Sequence, residues 1–137
     1  MTFARAYAAK QMSAHDAVGM IHDGDTVVLP TGVGETPALL EALSEQRHEF
    51  RDVTVSQILP LRTFDYLEPE TRGHVRHAAL FLGGPTRKGA QDGWIDVRHS
   101  NFSEMPELFR RGLLPVDVVF AMASEMDEHG YFSISLS

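Results

Sequence analysis

Gly32 and Gly34, in the run Thr31-Gly32-Val33-Gly34-Glu35, have the residue type and spacing best suited to chemistry in this chain. Glycine lets the backbone approach a ligand closely. Here the two glycines feed a helix whose N-terminus carries partial positive charge, so an anion or a developing oxyanion would be stabilised beside them. The same residues also read as a plain tight strand-to-helix turn. As a dinucleotide fingerprint the run is poor, because Pro37 stands close to where the third glycine belongs and Asp52 precedes the second strand instead of following it. No Lys-Ser or Lys-Thr follows, which excludes a Walker phosphate loop.

Two other clusters carry reactive side chains. In Phe102-Ser103-Glu104-Met105-Pro106, Ser103 reads as a helix N-cap with Glu104 complementing the helix dipole; alternatively, Ser103 sits on a loop facing a ligand. Asp127-Glu128-His129-Gly130 reads as a polar hairpin turn, and the neighbouring carboxylate and imidazole are not expected to face each other as an acid-base pair. Of the scattered histidines, only His74 and His77 have ligand-like spacing. They lie in an irregular stretch with no third ligand in the pattern, so no metal site is expected. The absence of cysteine excludes disulfides, thiolate catalysis and thiolate metal sites, which leaves oxygen and imidazole groups for any chemistry.

The elements that must position these groups alternate in type. Ser13 caps a helix through Ile21, with Asp16 in the acidic capping-box position, and Asp23-Gly24-Asp25 turns the chain. Thr26 to Pro30 forms a first strand, and the glycine loop then leads to a helix from Thr36 or Pro37 to about His48, with proline at its first position. Strands are expected at 53–57, 78–82 and 94–97, and a helix at about 104–112 ending at Gly112. Residues 59–77 read as irregular with a short helix near 63–67, and 83–93 as an exposed loop. The ending is a buried-type strand, 116–123, then a turn closed by Gly130 and a second strand, 131–136. Trp94 and Phe102 are assigned to the core or an interface. This alternation predicts an α/β fold, a largely parallel sheet flanked by helices.

At 137 residues the chain is expected to form a single domain, 1–137, large enough for a real core. An apolar strand at the C-terminal end without a covering helix would leave a face and an edge unburied. The domain is therefore expected to be incomplete there and to be finished by a partner or by the rest of a larger protein. With a net charge of −7 and twelve scattered Lys and Arg, the chain lacks the clustered basic face that nucleic acid requires. It has no apolar run of spanning length and no signal-peptide core, so a cytoplasmic protein without membrane contact is expected.

Taken in order, SAHDAVGMIHDGDTVVLPTGVGETPALLEAL and HSNFSEMPELFRRGLLPVDVVFAMASEMDEHGYFSIS resemble the N-terminal half of the acetyl-CoA hydrolase/transferase family, the class I CoA-transferases acting on 4-hydroxybutyrate, butyrate or acetate. The resemblance covers about residues 13–137, most specifically in the terminal block and weakly over 57–100. It implies a NagB/RpiA-like N-terminal domain and ping-pong transfer of CoA between an acyl-CoA and a small carboxylic acid. In that reaction a glutamate attacks the acyl-CoA thioester to form an acyl-glutamyl anhydride, the expelled CoA thiolate re-attacks to give a glutamyl-CoA thioester, and a second carboxylate then takes the CoA, with backbone amides assisting. The family's nucleophile lies in the C-terminal half, so no catalytic glutamate is expected in this chain and neither Glu35, Glu104 nor Glu128 is assigned that role. Coenzyme A would be a substrate, and no other cofactor is implied. By position, Gly32, Val33, Gly34 and Glu35 would lie near the acyl group, and Ser56, Gln57 and Ser103 would sit on loops facing the interdomain cleft, while Glu128, His129 and Gly130 would define the fold. A C-terminal half or subunit and oligomerisation are the implied partners. The alternatives are a non-catalytic binding or assembly module derived from such a domain and, from the glycine loop alone, a small nucleotide-binding domain.

Overall fold

A computed structural model describes residues 3–134. The chain opens with α1, Phe3–Ala8, and α2, Ala14–Val18. Ser13 caps α2 as its sequence suggests: its hydroxyl accepts from the Asp16 amide at 3.0 Å and donates to the Asp16 carboxylate at 2.7 Å. There follow β1, Thr26–Leu29, and α3, Pro37–Glu45, with Pro37 in its first turn. Next come β2, Val53–Gln57, and β3, Val75–Ala79, then α4, Gly84–Asp92, β4, Asp96–Val97, α5, Met105–Arg110, and β5, Val118–Val119.

The five strands form one parallel sheet in the order β4-β3-β2-β1-β5. Its register puts Val27, Val55 and His77 in one row and Leu29, Gln57 and Ala79 in the next. The period-two alternation of strands sends these rows to one face. There they meet Val18 and Ile21 and the buried side of α3, Leu40 and Leu43. Burying each such leucine contributes about 2 kcal/mol, which exceeds what helix propensity supplies to so short an element. Val28, Ser56 and Ala78 point to the opposite face, where Leu80, Met105 and Leu114 form a smaller cluster with α5. Successive strands run outward from β1 as far as β4, and the chain then returns to place β5 on β1's other side. This reversal puts the topological switch point of the sheet between β1 and β5, the place where open parallel sheets bind ligands.

Several elements depart from the sequence-based expectation. The third strand begins at Val75, three residues before the expected start, because Arg76 is the outward member of an alternating row and does not interrupt it. The expected loop at 83–93 is instead α4. Pro85 suits a first helical turn, the Thr86 hydroxyl accepts from the Gly83 amide at 3.2 Å, and Gly93 leaves the helix at φ +86°. Ser103 does not cap α5, whose first turn has no side-chain cap; Glu104 folds back to accept from the Asn101 backbone and side-chain amides. β5 is shorter than 116–123, although the Asp117 and Phe120 amides extend its ladder to β1. Beyond it, one antiparallel bridge joins Ala123 to Ile134 across the turn, and the rest of the expected last strand, 135–136, lies outside the described residues.

Candidate functional site

The glycine loop follows β1 at the carboxyl edge of the sheet, beside the switch point. Gly32–Gly34 is a single 3-10 turn in which Gly32 has φ +55°, a conformation that favours glycine. The loop's amides are largely used internally. Gly32 N–H donates to Leu59 O at 2.9 Å, Gly34 N–H to Thr31 O at 3.1 Å and Glu35 N–H to Gly32 O at 3.1 Å. The two glycines thus bring the backbone into a tight turn, with the Val33 amide outside these three bonds. Val33 projects its side chain outward, 67% exposed.

Beneath the loop lies a buried polar clamp. Glu35 is 5% exposed and Gln57 1%. The Glu35 Oε1 accepts from Gln57 Nε2 at 3.0 Å and from the Leu61 amide at 2.8 Å, and Gln57 Nε2 also donates to Pro30 O at 3.0 Å. Two acceptors on one side of the Gln57 amide fix which end carries nitrogen. The family resemblance implied Glu35 near the acyl group and Gln57 facing the cleft but did not pair them; the pairing needs the register that puts Gln57 level with Leu29 at the end of β1. Above the clamp, Gly32, Val33, Glu35, Pro37, Glu41, Leu61 and Arg62 line an open groove of about 440 Å³. Arg62 lies 3.8 Å from Glu41 and caps the Phe64 ring at 5.0 Å.

The other expected site residues are dispersed. Ser56 is buried on the far face of β2, and its hydroxyl has no partner. Ser103 is exposed in the turn before α5 and shares no hydrogen bond with the glycine loop. Glu128 and His129 do approach each other, to 3.5 Å, contrary to expectation, but both are largely exposed on a turn built by its neighbour: Asp127 Oδ1 accepts from the amides of His129 and Tyr131, with Gly130 at φ +87°. His74 and His77 diverge. His74 Nδ1 bonds Phe50 O at 2.8 Å, whereas His77 is buried against Tyr66, whose hydroxyl lies 3.3 Å from His77 Nδ1. Burial pushes the His77 imidazole down to about 4. Burial, and secondarily the Glu35 carboxylate, raises the Tyr66 phenol above its ordinary range, so this pair stays neutral. Sequence reasoning missed the pair because Tyr66 sits in a 3-10 turn, Asp65–Leu67, without periodicity. Among the described residues, no three His, Asp or Glu are gathered as a metal site, and no helix is long and apolar enough to cross a membrane.

Residues 1–137 match the acetyl-CoA hydrolase/transferase N-terminal domain. The chain is 35% identical over 136 residues to a succinyl-CoA:cyclohexane-1-carboxylate CoA transferase of Geobacter metallireducens, covering 99% of this chain and 31% of that protein. It is 33% identical over 137 residues to a 4-hydroxybutyrate coenzyme A transferase of Clostridium kluyveri, covering 100% and 32%. Its fold is similar to RipA from Yersinia pestis, with a TM-score of 0.84 at 26% identity over 97% of this chain and 33% of that one. The 4-hydroxybutyrate CoA-transferase from Porphyromonas gingivalis gives 0.74 at 27% identity over 96% and 29%. The chain thus spans about a third of the length of the curated relatives it matches. By sequence and by fold, it belongs to the acetyl-CoA hydrolase/transferase N-terminal domain family.

Proposed function

We propose that this domain forms the acyl-side wall of a CoA-transferase active site. CoA would move between an acyl-CoA and a small carboxylic acid through a glutamyl-CoA thioester, on a glutamate supplied by sequence outside residues 1–137. The observation that carries this reading is the clamped glycine loop, Gly32–Gly34, seated at the sheet's reversal point, where open parallel sheets bind ligands. Attack of a carboxylate on a thioester builds negative charge on the acyl oxygen, and a fixed N–H donor at that oxygen lowers the barrier. The Val33 amide is available for that role, and the Val33 side chain faces the acyl chain across the groove. Gln57 and Glu35 support the loop from below.

The test is transfer from acetyl-CoA to butyrate, 4-hydroxybutyrate or succinate by the full-length protein that carries this domain, with hydroxylamine or borohydride trapping of an enzyme-bound thioester. Gly34→Val, which crowds the loop, is expected to lower turnover with each acid. Unchanged kinetics would put the loop away from the reacting atoms, and a protein that binds acyl-CoA without turning it over would favour the non-catalytic binding module.

A further inference from the structure

We infer that Glu35 is a positioning residue: its buried carboxylate ties the glycine loop to the 59–62 loop and so fixes where the Val33 amide points. This rests on the transferase reading for its catalytic consequence, but the clamp itself stands on geometry alone. All the hydrogen bonds that the Glu35 side chain accepts fall on Oε1, from Gln57 Nε2 and from the Leu61 amide. A buried carboxylate at 5% exposure held by two donors is costly to leave unpaired. Gln57 extends the tie to Pro30 O at the end of β1, and Gly32 N–H closes it onto Leu59 O. Three segments, 30–35, the end of β2 and 59–61, are thus locked by one carboxylate. The loop's own bonds, Gly34 N–H to Thr31 O and Glu35 N–H to Gly32 O, hold the shape of the turn but do not anchor it to the rest of the fold, since Val33 is exposed and nothing beyond its chain neighbours lies within 4 Å of where a Gly32 side chain would begin.

The geometry separates two roles. A carboxylate that meets the reacting atoms needs its charge or its proton. A carboxylate that only accepts from Gln57 and Leu61 is replaced adequately by the glutamine carbonyl of Glu35→Gln, which keeps the acceptor and the shape, but not by alanine. In the full-length protein, Glu35→Gln should therefore retain kcat within about threefold, while Glu35→Ala loses roughly 100-fold, the scale of a misplaced reacting group. The KM for acetyl-CoA should move little in either. Hydrogen exchange on the same proteins should show the Leu61 and Gly32 amides protected in the wild type and in Glu35→Gln, and fast in Glu35→Ala. Should Glu35→Ala fail to fold, Gln57→Met, which removes one donor onto Oε1 and the bond to Pro30, is expected to speed exchange at the same amides and to lower kcat less.

An equal loss in Glu35→Gln and Glu35→Ala would overturn the inference by showing that the charge itself is used. Full activity in Glu35→Ala despite fast exchange, or unchanged exchange at both amides, would overturn it as well. A wild type that transfers no CoA to any of the three acids sinks the transferase reading instead, and the exchange contrast then decides the clamp by itself.

Discussion

His77 shows what a single buried side chain does to the stability of this domain. Its ring sits 2% exposed between β3 and Tyr66, with Nε2 unpartnered, and folding lowers its pKa from the ordinary 6.5 to about 4. Between those values the unfolded chain binds a proton that the folded one refuses, so stability is full above about pH 6.5 and falls as the pH drops towards 4. The loss should be about 2 kcal/mol at pH 5 and about 3 kcal/mol once both titrations are passed. Urea unfolding of the wild type at pH 7 and pH 5 should show this decline, and His77→Gln, which cannot take the proton, should show a shallower one. Equal slopes would mean that water reaches the ring and the site is not closed. The same distinction between charge and shape governs Glu35, whose neighbours use it as an acceptor.

At the scale of elements, α4 illustrates why glycine means different things at different places. A side chain begun at Gly89 would lie 2.5 Å from Ile95 Cδ1 and 2.8 Å from Trp94 Nε1, and Ile95 is buried. Gly89→Ala should gain about 1 kcal/mol of helix propensity but lose about 1–3 kcal/mol to overpacking, for a net fall in melting temperature. Gly130→Ala should cost about 1–2 kcal/mol for a different reason. Its φ of +87° strains any side chain, and a Cβ there would also come within 2.7 Å of Cγ of the exposed Phe3. A Gly89→Ala melting temperature at or above that of the wild type would mean that α4 does not pack closely on Trp94 and Ile95. These cases also explain what was legible in sequence. The Ser13 cap, β1, β2 and the Pro37 start of α3 are local, so pattern and capping chemistry reveal them, although the Thr36 hydroxyl is buried without a partner and does not cap α3. α4 was hidden because its glycines read as breakers, although Gly89 serves contact with Trp94 and Ile95 further along the chain. The clamp was only half visible: the family resemblance singled out positions 35 and 57, but their pairing depends on a register between two strands that no local rule supplies.

At the scale of the whole molecule, the sheet is unevenly covered. Helices α2 and α3 bury one face, but on the other α5 reaches only the region of Leu80 and Leu114, and Val28 at the centre stays half-buried. β5 is an edge strand, paired only to β1, and its Val119 is exposed together with Val116, Met122, Tyr131, Phe132 and Ile134. An apolar edge of this kind invites pairing with another chain, because its unpaired N–H and C=O groups and its side chains gain from the same contact. Residues 1–137 produced alone should therefore self-associate or bind a hydrophobic dye, at micromolar concentration, while the same domain joined to the C-terminal half proposed above should not. Val119→Lys places a charge on the open edge and should shift the isolated domain towards monomer without disturbing the Glu35 clamp, which lies across the sheet beneath the loop after β1. Light scattering on the domain and its Val119→Lys variant decides the point. A wild-type domain that stays monomeric and dye-free would mean that the 121–134 hairpin covers the edge in solution, and the search for what completes this sheet would move to the α5 face.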